Sequence, residues 1–155
     1  MKKVILLFFL LSFMSCYHET EFVDNLKKLY AERNISFDKA TEFCIVLPEV
    51  GCSGCISGCI YQILSNKTLF ENTQRKNLIV FTSINSKKML RRNMQVDSIE
   101  EFNCVIDSMD AYLLEGNDRI YPLFIKLEDG EIVDAVVQSP DTDINVFYDW
   151  HIINE

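Results

Sequence analysis

Two cysteines separated by two residues form the clearest chemical motif of this sequence. Cys52-Ser53-Gly54-Cys55 lies between an apolar run at 43–47 and a stretch with apolar residues at helical spacing. A cysteine at the N-terminus of a helix faces unpaired backbone N–H groups and the positive end of the helix dipole, which favour the thiolate. We therefore predict that Cys52 is the exposed attacking thiol and that Cys55, buried behind it, resolves the mixed disulfide.

A C-x-x-C pair is also half of many zinc sites. The sequence contains no second C-x-x-C pair and no pair of neighbouring histidines, since its two histidines are His18 and His151. We therefore expect neither a metal nor a cofactor, and we place His18 in a solvated tether and His151 in the packing of the last helix.

Helices and strands alternate along most of the chain. Apolar spacing predicts helices at 22–33, from the motif to near Asn66, at Lys87–Arg92, from Ser98 and from Ser139-Pro140, the last with Ile144, Phe147, Tyr148 and His151 on one face. Short apolar runs predict strands at 43–47 (ended by Pro48), 78–82, 103–107, Pro122–Glu128 and Glu131–Val137.

Asp129-Gly130 joins the last two strands, and an Asp-Gly pair between two strand-like runs is a strong hairpin signal. Strands that alternate with helices form a parallel core through right-handed crossovers, to which the hairpin adds antiparallel strands. The predicted fold class is α/β, with a mixed central sheet of about five strands flanked by helices in a single domain.

The sequence resembles the thioredoxin-like proteins. The segments that carry the resemblance, within residues 40–138, are FCIVLPEVGCSGC and IYPLFIKLEDGEIVDAVV. It implies a three-layer sandwich in which Tyr121-Pro122 is a cis pair packed against the cysteines. Together with the N-terminus described below, the sequence most resembles the membrane-anchored TlpA-like thiol–disulfide oxidoreductases.

The chain departs from that family near the motif. Gly51 stands where a tryptophan usually precedes the first cysteine, and Val46 stands where thioredoxin has a buried acid. Glu49 could substitute for that acid, or could raise the pKa of the thiol by like-charge repulsion. An inert structural disulfide between Cys52 and Cys55 therefore remains an alternative to a redox-active pair.

A third cysteine follows one helical turn after Cys55. Cys55 and Cys59 share a helix face, and copper chaperones of the Sco type carry a C-x-x-x-C pair here with a distant histidine. This makes copper binding a second alternative, although Ile60 stands where those proteins have proline. We expect Cys59 to be a buried packing residue, conceivably bridged to Cys44, and expect Cys44 and Cys104 to be buried in strands.

The N-terminus has the layout of a bacterial secretion signal. Lys2 and Lys3 precede an apolar run from Val4 to Leu11, too short for a comfortable membrane span. The run ends in Ser15-Cys16, which resembles a lipoprotein cleavage and lipidation site. This implies that residues 1–15 are a signal peptide, that Cys16 carries the lipid, and that residues 16–155 form one tethered domain in the cell envelope.

Net charge limits the partners of the chain. The 155 residues include 15 basic and 23 acidic side chains, a formal charge of -8. A nucleic-acid binder usually has a basic surplus, so we expect no nucleic-acid partner. The expected partners are thiols and disulfides of envelope proteins, with the lipid holding the protein to the membrane.

The lipid-anchor hypothesis predicts the behaviour of a Cys16→Ala variant. Without the acylated sulfur the chain loses its membrane attachment, so the variant should leave the membrane fraction when cells are fractionated. A variant that stays with the membranes as fully as the parent protein would show that Cys16 is not the anchor.

Overall fold

The computed structural model describes residues 21–73, 76–142, 145–150 and 152. The predicted signal peptide, Cys16, His18 and His151 lie outside the described residues. In the described part of the chain, no helix has both the length and the apolar character needed to cross a membrane.

The described chain contains four α-helices and five strands. The helices are α1 (21–32), α2 (Ser53–Ser65), α3 (Lys87–Asn93) and α4 (Val146–Asp149). The strands are β1 (Phe43–Pro48), β2 (Asn77–Thr82), β3 (Cys104–Asp107), β4 (Leu123–Glu128) and β5 (Glu131–Val137). Three short 3₁₀ turns cover Lys67–Leu69, Ile99–Glu101 and Gly116–Ile120.

The five strands form one mixed sheet in the order β3-β2-β1-β4-β5. Strand β1 is central and pairs in parallel with β2 and antiparallel with β4, while β2 and β3 are parallel and β4 and β5 form an antiparallel hairpin. The predicted α/β class, the number of strands and the order of helices and strands are confirmed. The C-x-x-C motif follows the central strand and precedes α2.

Alternate residues of β1 pack into two hydrophobic layers on opposite faces of the sheet. Ile45 and Leu47 belong to the layer covered by α2 and α4. Cys44 and Val46 belong to the layer covered by α1. All four are almost completely buried, so the central strand is covered on both sides, as its unbroken apolar sequence predicted.

The last helix differs from its prediction. Ser139-Pro140 does not begin a helix, because the Ser139 hydroxyl accepts a hydrogen bond from Asp141 N and the Ser139 N–H donates to Thr142 Oγ1. These local bonds form a turn that competes with helix formation. Helix α4 is consequently only four residues long.

Two side chains predicted to share a face of the last helix lie in different environments. Phe147 is buried and packs edge-on against Phe124 at 5.2 Å between ring centroids. Tyr148 is exposed. Ile144, assigned to the same face, lies outside the described residues.

Candidate functional site

Cys52 is the residue that caps the N-terminus of α2. Its backbone is extended (φ -65°, ψ 99°), and its sulfur accepts a hydrogen bond from the Cys55 N–H with 3.5 Å between nitrogen and sulfur. A capping atom satisfies one of the helix's unpaired N–H donors. The prediction that Cys52 lies at the N-terminus of a helix is therefore confirmed.

Hydrogen bonds lower the pKa of the Cys52 thiol. The largest contribution is a hydrogen bond from the Cys55 side chain, followed by the backbone N–H of Cys55 and, after the opposing effect of burial, by the backbone N–H of Gly54. All three stabilise a negatively charged sulfur and so favour the thiolate. The first turn of α2 contains no acidic residue that would oppose the effect.

Cys55 behaves in the opposite way. Burial, the hydrogen bond to the Cys52 sulfur and the charge on that sulfur, in that order, raise the pKa of Cys55 to about 11. Both cysteines are nevertheless only half-buried, so the expectation of a fully buried Cys55 is wrong. The cause is its place in the first turn of α2, where neighbouring Gly54 contributes no side chain to cover it.

A close backbone contact holds the loop before α2. The Cys52 N–H donates to the Ile120 carbonyl at 2.9 Å. A Cβ atom added to Gly51 would lie 2.1 Å from that carbonyl oxygen, far inside any normal contact. Glycine at position 51 is thus required by the approach of residue 120, and the tryptophan of thioredoxin-like proteins could not take this backbone position here.

The Tyr121–Pro122 peptide bond is trans, as are the other peptide bonds of the described residues. The predicted cis bond is therefore wrong. Tyr121 has an extended backbone (ψ 151°), the conformation preferred by a residue before proline, and the trans form is the lower in energy. Hydrogen bonds from Cys52 N to Ile120 O and from Gln138 N to Pro122 O hold the chain on either side of Tyr121.

Glu49 forms a hydrogen bond with the loop before α3. Its Oε2 accepts a hydrogen bond from Asn85 N at 2.6 Å, in the loop before α3. Glu49 is not among the groups that shift the pKa of Cys52. The like-charge effect considered for this residue is therefore not found, and Glu49 instead joins the ends of β1 and β2.

The other cysteines of the described chain are free thiols in different surroundings. Cys59 and Cys44 are buried on opposite faces of the sheet, which excludes a bridge between them, and burial raises the pKa of both thiols. Cys104 is only half-buried, contrary to expectation, because β3 is an edge strand. Burial, followed by the nearby Glu100 carboxylate, raises its pKa.

A cleft of about 570 Å³ opens beside the two motif cysteines. One wall is α2 and the other is the segment from the end of β5 to α4. Its lining residues are Cys52, Gly54, Cys55, Gly58, Cys59, Gln62, Phe124, Gln138, Ser139, Pro140, Thr142, Asn145 and Phe147. The sequence did not indicate this cleft, because its walls are brought together by the tertiary fold.

Groups of three or more His, Cys, Asp or Glu side chains that could hold a metal ion do not occur among the described residues. Cys59 shares the cleft with Cys55, but it is buried and its raised pKa opposes the thiolate form that a metal would need. Within this cleft, the accessible sulfurs are those of Cys52 and Cys55.

Comparisons with protein-family models, with curated proteins and with solved structures found no match to this chain.

The Gly51–Ile120 contact predicts the effect of a Gly51→Ala substitution. The added methyl group must push the Ile120 carbonyl away, which should lower the free energy of unfolding by about 2 kcal/mol, as overpacking does. Gly58→Ala is the control, because a Cβ at Gly58 meets nothing within 4 Å, and it should stabilise α2 by about 0.5–1 kcal/mol. Equal unfolding midpoints in denaturant for the two variants would contradict the proposed contact.

The hydrogen bond from Cys55 to Cys52 predicts the pH dependence of alkylation. The rate at Cys52 should rise with pH as the thiolate forms, at lower pH than for an unperturbed thiol, whose pKa is about 8.5. Cys55→Ala removes the S–H donor and should move this rise to higher pH. Cys55→Ser keeps an O–H donor and should move it less.

The measurement is iodoacetamide labelling of reduced protein across a pH series, with Cys52 quantified by mass spectrometry. Cys59→Ala is the control and should leave the profile unchanged, because Cys59 does not contribute to the shift at Cys52. Identical profiles for the parent and Cys55→Ala would show that the side-chain bond does not set the pKa.

Proposed function

We propose that this protein is a thiol–disulfide oxidoreductase that exchanges disulfides with other proteins through Cys52 and Cys55. The observation that carries the proposal is the opposite direction of the two pKa shifts at the N-terminus of α2. A lowered pKa raises the fraction of Cys52 that is present as thiolate at a given pH, and thiolate is the form that attacks a disulfide. A raised pKa keeps the second thiol protonated until the first has reacted.

The proposed reaction transfers two electrons in two exchange steps. The Cys52 thiolate attacks one sulfur of a substrate disulfide, so that an S–S bond forms to Cys52 and the substrate's own S–S bond breaks, releasing one substrate thiolate. Cys55 then loses its proton and attacks the Cys52 sulfur. This forms the Cys52–Cys55 disulfide and releases the second substrate thiolate, so the substrate is reduced and the protein oxidised.

The reverse sequence oxidises a substrate dithiol by the same bonds. Which direction operates depends on the reduction potential of the pair relative to its partners. The opposed pKa values suit either direction, because Cys52 is the better attacking group in one and the better leaving group in the other.

The proposed fold is thioredoxin-like, a three-layer sandwich around the mixed sheet. Support comes from the position of C-x-x-C between the central strand and α2, and from the antiparallel β4–β5 hairpin beside that strand. The segment before β4 lies beside the motif through the bond from Cys52 N to Ile120 O. The trans Tyr121–Pro122 bond is a departure from that family.

The proposed location is the bacterial cell envelope. Support comes from the sequence alone: the Lys2-Lys3 start, the apolar run and Ser15-Cys16. Lipid on Cys16 would hold the domain at the membrane, facing the periplasm or the exterior, where disulfides persist.

The two alternatives receive less support from the site. An inert structural disulfide does not require the two thiols to have pKa values shifted in opposite directions. A copper site would need Cys59 as a thiolate, and Cys59 is buried with a raised pKa.

The exchange proposal is tested by trapping mixed disulfides. Cys55→Ala should accumulate a covalent complex with substrate, because the step that releases it is lost, whereas Cys52→Ala should form none. Complexes are detected on non-reducing gels and dissociate when a reductant cleaves the mixed disulfide. Trapping by Cys52→Ala but not by Cys55→Ala would show that Cys55 is the attacking thiol and Cys52 the resolving thiol.

Cys59→Ala is the matched control for these variants. As a small truncation in the core it should cost about 1 kcal/mol of stability and leave exchange at Cys52 and Cys55 intact. If it abolished exchange, or released a bound copper ion, the two-cysteine mechanism would be wrong.

A further inference from the structure

A second cleft, of about 550 Å³, lies between α3 and the edge strand β3. Lys87 and Arg91 of α3 line it, as do Cys104 and Ile106 of β3. These residues do not line the cleft beside the C-x-x-C pair. Helix α3 is only seven residues long and buries one side chain, Leu90, so it leaves the outer strand of the sheet partly uncovered.

The α3 wall of this cleft is basic in a chain that is acidic overall. Four of the 15 basic residues lie within positions 87–92, whereas the formal charge of the chain is -8. Lys87 and Arg91 are about one helical turn apart, so their side chains lie on the same face of α3. Neither side chain is in an ion pair within the described residues. Glu100 is the one acid among the described residues that line the cleft, so cations outnumber acids there.

The opposite wall is the open edge of a β-sheet. The Asn103 carbonyl accepts a hydrogen bond from the Ile79 N–H at 3.0 Å, so the backbone groups of Asn103 face β2. Successive residues of a strand present their backbone groups to opposite edges. The N–H and C=O groups of Cys104 and Ile106 therefore lie along the outer edge of β3, where they can pair with a further strand.

A strand added at this edge would present its side chains alternately to the two faces of the sheet. On one face they would meet the basic wall of the cleft, formed by Lys87 and Arg91. On the other face they would meet Val105, an apolar strand residue that is 42 % exposed. The edge therefore favours a segment in which acidic and apolar residues alternate.

We infer that the edge of β3 binds an extended segment of a partner polypeptide in which acidic and apolar residues alternate, added to the sheet as a sixth strand. In this mode of recognition main-chain hydrogen bonds supply the affinity and side-chain contacts the specificity. The net charge of the chain opposes an acidic partner at long range. At physiological ionic strength, however, charges are screened beyond about 8 Å, so Lys87 and Arg91 dominate at contact. The inference concerns a separate site and does not depend on disulfide exchange at Cys52 and Cys55.

The inference is tested by binding of synthetic peptides to the reduced full-length protein. Fluorescein-labelled peptides of alternating Asp and Val are compared with matched peptides of Lys and Val and of Ser and Val. Fluorescence anisotropy should show the Asp peptide binding about tenfold more tightly than the Lys peptide, with the Ser peptide between them. Equal affinity for the Asp and Lys peptides, or no binding of the Asp peptide, overturns the inference.

Charge reversal in α3 locates the basic wall. Lys87→Glu/Arg91→Glu should weaken binding of the Asp peptide about tenfold and make the Lys peptide the preferred one. Lys27→Glu/Lys28→Glu is the matched control, because it changes the net charge equally at exposed positions of α1, which packs on the other face of the sheet. It should change the affinity by less than about twofold. Circular dichroism should show both variants folded, and equal effects of the two would reduce the interaction to net charge and refute the site.

Methylation of the peptide backbone distinguishes strand addition from ionic contact. One Asp peptide is N-methylated at every Asp amide and another at every Val amide, so both keep their charge, but in only one of them do the methyl groups face β3. That peptide should bind about tenfold more weakly, and the other should bind like the parent peptide. Equal affinities of the two methylated peptides would contradict strand addition.

A second copy of the chain and an anionic membrane are the other occupants that this edge could meet. Sedimentation that showed a dimer unable to bind the Asp peptide would make the inference wrong. The same holds if phosphatidylglycerol vesicles bound the protein through Lys87 and Arg91 while the Asp peptide did not. Because the peptides contain no cysteine, failure of these tests refutes the β3 site alone, whereas failure of mixed-disulfide trapping refutes the exchange chemistry.

Discussion

The hydrogen bond from the Cys52 N–H to the Ile120 carbonyl is the contact on which the geometry of the site depends. It joins the start of α2 to the segment that enters β4, and β4 is itself paired with β1, the strand that leads into the motif. The loop between β1 and α2 is therefore held at both ends, by the pairing of β1 and by the bond at Cys52. Only glycine at position 51 lets the two backbones approach this closely. The position of Cys52 as helix cap follows from this constraint.

The pKa difference between the two thiols arises from burial and from groups within the first turn of α2, with no contribution from an ionisable side chain outside the pair. Backbone N–H groups and the Cys55 side chain stabilise the Cys52 sulfur, and the same hydrogen bond makes Cys55 harder to ionise. This interaction moves the two pKa values apart, and burial is the larger cause of the raised pKa of Cys55. Because these donors belong to the helix turn itself, the polarity of the pair is built into the local backbone and does not depend on a distant ionisable group such as Glu49.

Local sequence signals predicted most of the fold. Unbroken apolar runs identified the central strands, and Asp129-Gly130 identified the hairpin, in which both residues have the positive φ that the tight turn requires. The placement of Cys52 at the N-terminus of α2 was equally local. The features that were missed depend on contacts between distant residues or on competition between alternative hydrogen bonds. The trans bond at Pro122, the turn at Ser139, the half exposure of Cys104 and the cleft along α2 are all of this kind.

The separation of Cys44 and Cys59 by the sheet has a consequence for oxidative folding. An unfolded chain with many thiols forms wrong disulfides readily wherever an oxidant is present, and each must be reshuffled before the native state is reached. Once β1 has paired with its neighbours and both layers have closed over it, these two sulfurs face opposite cores and meet neither each other nor an external oxidant. Collapse of the core therefore shields the Cys44 and Cys59 thiols from oxidants, and oxidation would then occur at the thiols that stay accessible, among them Cys52 and Cys55. In this way the packing of the sheet keeps Cys44 and Cys59 apart from each other and from solvent.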